Sequence, residues 1–119
     1  MSLFEELKEL GVDVNEGLER VMDDEPLYET MLGMFVERMD SNPIMPEDFD
    51  AEDLDKLIGQ VHALKGLTGN LAMTPLFEGY MKMLDLLRSG CPEEAQQVYK
   101  QILPTQLAIV ECIKRYMNV

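Results

Sequence analysis

Core positions recur along this chain every three to four residues, the spacing of one buried face of an α-helix. Four long segments carry such a stripe. Their core positions are Tyr28, Leu32, Phe35, Val36 and Met39; Leu57, Val61, Leu64, Thr68 and Leu71; Leu76, Tyr80, Met83, Leu84 and Leu87; and Ala95, Val98, Ile102, Ile109, Ile113 and Tyr116. No segment alternates with the two-residue period of a β-strand. The pattern predicts an all-α fold.

Two short helices are predicted before the long ones. Ser2 and Glu5 have the spacing of a capping box, and Gly11 can end that helix in a left-handed conformation. Asp13 is placed to begin a second helix of about two turns that extends to Met22. Helices this short are unstable alone, so both are expected to lie across a larger body.

Polar and breaker residues mark the ends of the first two long helices. Asp24 is the expected N-cap of the first, which should stop near Asp40 before a cluster with two prolines. Six acidic residues follow within residues 47–55. Acids favour a helix N-terminus, so Asp50 is predicted to cap a helix from about residue 51 to about residue 71.

The last two long helices have clear starts as well. Thr74 supplies the predicted cap of one, and Gly79 within it is expected to allow close helix approach. Pro104 lies inside the other and predicts a kink, because proline lacks a backbone donor. Short connections between long helices predict an antiparallel up-down four-helix bundle with one or two short N-terminal helices, a single domain over residues 1–119.

Composition narrows the class of protein. Apolar types make up 46% of the residues and charged types 28%, which fits a globular domain. A net charge of −13 argues against nucleic acid or anionic membrane as a partner. Cys91 and Cys112 are predicted to be free thiols that serve as small core residues. With no basic n-region at the N-terminus and no spanning segment, a cytoplasmic location is expected.

The single histidine, His62, excludes several kinds of site. A di-iron bundle needs two Glu-x-x-His units, and a structural zinc site needs four Cys or His ligands. There is also no glycine-rich phosphate loop for ATP and no serine elbow for a triad. The sequence therefore predicts no metal site, no ATP site and no conventional hydrolase.

The surroundings of His62 suggest a specific chemistry. His62, Lys65, Gly66 and Gly69 share one helical stripe, about 130° around the helix from the core stripe, so His62 should face solvent. Each glycine inside a helix costs about 1 kcal/mol relative to alanine, with no benefit on an ordinary solvated face. Because Gly66 and Gly69 have no side chains, another protein would have room to approach the imidazole.

A neutral imidazole is a nucleophile near pH 7 and can accept a phosphoryl group as a phosphoramidate. The Lys65 ammonium, one turn away, could offset charge on the phosphoryl oxygens. The electrophile and Mg²⁺ would come from a partner. The residues thus predict a carrier of a phosphoryl group.

Residues 62–71, HALKGLTGNL, closely resemble the His-x-x-Lys-Gly signature of histidine-containing phosphotransfer (HPt) domains of phosphorelays. The resemblance covers roughly Val12 to Met117. It implies that His62 is the phosphoacceptor, Lys65 stabilises the phosphate, and Gly66 and Gly69 permit docking. The resemblance also implies, less strongly, that Asn70 hydrogen-bonds near the site.

The resemblance also implies partners. They would be response-regulator receiver domains, with a hybrid sensor histidine kinase as a further candidate. The chain itself would be a monomeric carrier without its own cofactor. Two positions depart from the family pattern: Ala72 replaces a frequent glycine, and Leu84 stands about where several members place a glutamine. An alternative from another class stays open, a non-catalytic helical adaptor that binds receivers without carrying phosphate.

Overall fold

A computed structural model describes residues 1–118 as six α-helices and one short 3₁₀ helix. The α-helices are α1 (Leu3–Glu9), α2 (Val14–Arg20), α3 (Glu25–Ser41), α4 (Asp55–Asn70), α5 (Thr74–Arg88) and α6 (Pro92–Met117), and the 3₁₀ helix is Pro46–Asp50. No strand occurs within residues 1–118, so the predicted all-α class is confirmed. No helix in these residues is long and apolar enough to cross a membrane.

Side-chain caps begin the first three helices as predicted. Ser2 accepts from the Glu5 backbone N–H at 3.2 Å, and Glu5 accepts in return from the Ser2 N–H, which completes a capping box. Asp13 caps α2, and Asp24 accepts from the N–H of Leu27 at 3.1 Å to cap α3. These local bonds satisfy backbone donors that a helix start would otherwise leave free.

The start of α4 differs from the prediction. Asp50 is not its cap, because residues 46–50 form the 3₁₀ helix and Ala51 is extended, with φ −66° and ψ 144°. Phe49 in that 3₁₀ helix is buried, and its ring lies 6.0 Å from the ring of Tyr99 in α6. Burying this ring holds the acidic segment against α6, so the helix begins four residues later than expected, at Asp55.

The predicted stripes form one core. A single buried hydrophobic cluster receives side chains from every element: Leu7 of α1, Val14 of α2, Phe35 of α3, Phe49 of the 3₁₀ helix, Val61 of α4, Tyr80 of α5 and Ile109 of α6. The most extensive contacts join α4 to α5 and α5 to α6, while α1 and α3 also pack on α6. The helices therefore form a bundle around this core.

Three residues near helix ends differ from the prediction, two in their burial and one in its capping position. Tyr116 is 38% exposed and donates its hydroxyl to the carbonyl of Met1, so it covers the N-terminus rather than the core. Thr74 is the first residue of α5, and Met73 occupies the N-cap position. Of the two cysteines, both free, Cys112 is buried as predicted, whereas Cys91 at the start of α6 is only half-buried.

Proline does not interrupt the last helix. α6 runs from Pro92 to Met117 as one element with Pro104 inside it. Pro104 has no N–H to offer to the carbonyl of Lys100, so the hydrogen-bond ladder lacks one bond there. The kink at this position stays a prediction.

Four helices end in a similar way, with a residue in the left-handed conformation and paired backbone bonds, and after α2 a second left-handed residue, Asp23 with φ +61°, follows the first. Gly11 and Gly90 occupy this position after α1 and α5, with φ +97° and +77°. Met22 and Ala72 occupy it after α2 and α4, both with φ +56°. The pairing is that of a Schellman motif, in which glycine normally avoids the strain of a Cβ. The expected helical position of Met22 is therefore wrong, because α2 ends at Arg20.

Candidate functional site

Helix α4 presents His62 to solvent. Leu57, Val61 and Leu64 on its inner face are buried, whereas His62 on the outer face is exposed, as the sequence predicted. The imidazole makes no hydrogen bond with any side chain or backbone group of residues 1–118. Its nitrogens are thus free of internal partners, and a molecule from outside can reach the ring.

The end of α4 is anchored firmly to the core. The Thr68 hydroxyl is buried and donates to the carbonyl of Leu64 at 2.7 Å, one turn earlier in the same helix, so its polar group is satisfied within α4. The Tyr28 hydroxyl of α3 donates to the carbonyl of Leu71 at 2.9 Å, and burial raises the pKa of this tyrosine. The C-terminal end of α4, the helix that carries His62, is therefore tied to α3 by a buried hydrogen bond.

Open space flanks His62 on both sides along the helix. A Cβ built on Gly66 would have no heavy atom within 4 Å, and the same holds for Gly59. Gly59, His62 and Gly66 stand at i, i+3 and i+7, so all three share one face. Sequence reasoning missed Gly59, although its spacing of one turn before His62 was the available signal.

Gly69 has a different environment from Gly66. A Cβ on Gly69 would lie 3.0 Å from Cδ1 of Phe77, a side chain of α5. The missing side chain at Gly69 therefore makes room for the ring of Phe77 where α4 meets α5. A role of Gly69 in docking stays a prediction, and the structure supplies a packing reason for this glycine.

A groove of about 420 Å³ borders the site on the C-terminal side of His62. Four of the predicted residues line it, Lys65, Gly66, Gly69 and Asn70, together with Glu16 and Arg20 of α2 and Thr74, Phe77 and Glu78 of α5. His62 is not part of the groove lining but lies one turn before Lys65 and Gly66 on the same helix. The structure thus brings the predicted residues together along one surface, with the imidazole at its edge.

The two cations of the groove differ in their partners. Arg20 is paired with Glu16 at 2.9 Å, with both side chains about half exposed. Lys65 makes no ion pair in the described chain, residues 1–118, so its ammonium is available to an external anion. Sequence reasoning missed the α2 side of this groove, because α2 reaches it only through a tertiary contact.

That contact depends on another glycine. A Cβ on Gly17 of α2 would lie 2.5 Å from Cε1 of Tyr28, so α2 can rest directly on the buried tyrosine ring. This close approach brings Glu16 and Arg20 to the side of α4. Periodicity within α2 could not reveal it, since the partner ring lies in another helix.

The two positions that differ from the HPt pattern are both buried, although Ala72 also borders the groove beside Lys65. Leu84 is buried, so it belongs to the hydrophobic core beneath the surface rather than to the exposed face. Ala72 is buried at the left-handed end of α4, and its carbonyl accepts from the N–H of Asp13 at 2.8 Å. Neither side chain offers a polar group to the site.

In chemical terms the site is an exposed nucleophile beside an unpaired cation. The imidazole can form a bond to an incoming electrophile, and the ammonium can contact anionic oxygens on it.

In comparisons with known proteins, no family model, no curated protein and no solved structure matches this chain.

Proposed function

We propose that this chain is a cytoplasmic histidine phosphotransfer protein of a phosphorelay, with His62 as the phosphoacceptor. The observation that carries the proposal is the exposed imidazole on helix α4 with unoccupied space at Gly66. The likeness of residues 62–71 to the HPt signature supports the same reading. Receiver domains of response regulators would be the partners, and a hybrid sensor kinase would be an upstream source.

The proposed reaction is a transfer between an aspartate and a histidine. The lone pair of an imidazole nitrogen forms a bond to phosphorus of the receiver's aspartyl phosphate. The bond from phosphorus to the aspartate oxygen breaks, and the carboxylate leaves with that electron pair. Lys65 contacts the phosphoryl oxygens, while Mg²⁺ belongs to the receiver domain. The reverse sequence returns the phosphoryl group to a second receiver.

The proposal includes a finer topology for the bundle. In it α3, α4, α5 and α6 alternate in direction as an antiparallel up-down bundle, with α1 and α2 as short additions. The three-residue connections at residues 71–73 and 89–91 support it, because so short a link favours antiparallel neighbours. The extensive contacts of α5 with α4 and α6 support it as well.

A second candidate is an adaptor that binds receivers through this face without taking phosphate. The observation in its favour is the lack of an internal hydrogen bond to His62, since no group of residues 1–118 holds the ring in one orientation. An adaptor needs only the open surface beside Gly66. A carrier also needs the imidazole itself.

The test uses a panel of phosphorylated receiver domains with Mg²⁺. The carrier proposal expects an acid-labile, base-stable phosphoryl adduct on this chain that His62→Gln abolishes while receiver binding persists. Lys65→Gln should slow the transfer, whereas Lys56→Gln, which removes an exposed lysine from the same helix, should not. Binding without any labelled adduct would favour the adaptor instead.

A further inference from the structure

A second cavity lies between α6, the end of α3 and the segment at residues 43–49, and Leu64 of α4 and Tyr80 of α5 also line it. It has a volume of about 530 Å³, within the range of about 300–1,000 Å³ typical of small-molecule sites. His62 and the other predicted site residues are not among those that line it. An inference about this cavity is therefore independent of the proposed phosphotransfer.

The cavity reaches the hydrophobic core. Leu64, Phe49 and Tyr80 line it, and each is almost completely buried in the core cluster. Leu103 and Val110 of α6 add further apolar wall. An occupant must therefore have an extended apolar body, because polar atoms here would lose their water without gaining partners.

Two buried polar side chains that line the cavity are hydrogen-bonded to each other. The Tyr80 hydroxyl donates to Oε1 of Gln106, and both side chains are buried. Burial raises the pKa of Tyr80, so the phenol stays neutral. This bond occupies the Tyr80 hydroxyl proton and Oε1 of Gln106, and the apolar wall is the main contact for a bound molecule.

The charges at the cavity have a sign opposite to that of the whole chain. Three charged residues line it, Lys100, Lys114 and Asp40, in a protein of net charge −13. Lys114 is paired with Asp40 at 3.0 Å. Lys100 is exposed and makes no ion pair among residues 1–118, which leaves one uncompensated cation at an apolar cavity.

We propose that this cavity binds a small amphipathic carboxylate of the medium-chain fatty acid class. Its hydrocarbon chain lies against Phe49, Leu64 and Leu103, and its carboxylate is paired with Lys100. The apolar lining and the unpaired cation together select this class over neutral or cationic amphiphiles. The two prolines of the covering segment, Pro43 and Pro46, also line the cavity and restrict the backbone of that wall.

The experiment measures binding of decanoate to the full chain by calorimetry, below the critical micelle concentration. Decyltrimethylammonium and decanol serve as cationic and neutral probes of equal chain length. We expect decanoate to bind the tightest of the three. Lys100→Gln should weaken decanoate binding about threefold, the scale of one exposed ionic contact, and Lys8→Gln, at an exposed lysine that does not line the cavity, should leave it unchanged.

A cavity-filling variant provides the second measurement. Leu103→Trp should abolish decanoate binding while the helical circular dichroism signal is retained. If that variant does not fold, Val110→Phe is used in its place. Equal affinity for the three probes, no binding at all, or binding that persists in a folded cavity-filled variant would overturn the proposal. Sedimentation of the free chain as a dimer that Leu103→Trp converts to monomer would also overturn it, with a second copy as the occupant.

Discussion

Two groups of glycines in this small bundle serve different ends. Gly69 and Gly79 are seam glycines, which lie where α5 packs against α4 and α6. A Cβ on Gly69 would meet the ring of Phe77, and a Cβ on Gly79 would lie 2.5 Å from Cγ2 of Ile102. On the outer face of α4, Gly59 and Gly66 have no neighbour within 4 Å of that position. Packing explains the seam glycines and does not explain the outer ones.

The cost of a helical glycine makes this difference informative. Each costs about 1 kcal/mol relative to alanine, and in the seam closer helix contact offsets it. No internal contact offsets it on the outer face, where the glycines stand one turn on either side of His62. A partner that approaches the imidazole would supply the missing reason.

The largest expected effect is on transfer. Gly66→Leu places a bulky side chain beside His62 and should slow phosphotransfer from a cognate receiver about a hundredfold, the scale of a misplaced reacting group. Stability should be retained, because the position is open. Rates from rapid-quench labelling, with a thermal melt as control, check both statements, and transfer at the parental rate would remove the steric role of this face.

The next effect is on folding. Gly79→Ala should lower the free energy of unfolding by about 1–2 kcal/mol, because overpacking against Ile102 exceeds the gain in helix propensity. Urea denaturation measures it. A stabilised Gly79→Ala variant would mean that the seam yields easily and that the two groups of glycines do not differ in kind.

The opposite sign is expected on the outer face. Gly59→Ala and Gly66→Ala should each raise the free energy of unfolding by about 0.5–1 kcal/mol, since an added methyl meets open space and lowers the entropy of the unfolded chain. The same urea titration applies. Loss of stability in either variant would show that the outer glycines have an internal structural role.

The smallest effect concerns a position where glycine is absent although the backbone favours it. Met22 is 93% exposed with φ +56°, so Met22→Gly should relieve left-handed strain and raise the free energy of unfolding by about 0.5 kcal/mol. Gly11→Ala, at the equivalent place after α1, should lower the free energy of unfolding, because the backbone is left-handed there and the added Cβ would lie 2.9 Å from Cγ of Pro75. If both substitutions leave the denaturation midpoint unchanged, strain at these helix ends is negligible.

Much of the fold follows from local pattern. Most positions of the stripes through Tyr28, Leu57, Leu76 and Ala95 are buried as predicted, whereas Met39 and Ile102 are only partly buried. Three side-chain caps appear where their spacing placed them. Periodicity succeeds because the inward face of a helix is dictated by residues three and four apart. The prediction for α6 is wrong at its last stripe position, because Tyr116 is exposed and donates its hydroxyl to the carbonyl of Met1.

The acidic segment before α4 shows where local pattern is insufficient. Its charges suit a helix start, yet Phe49 turns inward to pack on Tyr99, and the helix begins later. One aromatic ring buried against α6 outweighs the electrostatic preference of several exposed acids. The site shows the same division: exposure of His62 follows from α4 alone, whereas Arg20 joins the groove only because α2 rests on Tyr28.

The amino-acid order was enough to predict four long helices with one or two short ones before them, most of their inward positions and the outward position of one imidazole, because these properties depend on neighbours within a few residues. Packing between distant segments decided the rest: the late start of α4, the groove beside Lys65, the different surroundings of Gly66 and Gly69, and the cavity under residues 43–49. Each of these depends on a side chain from another helix filling or leaving empty a particular space, and helical periodicity carries no information about that partner.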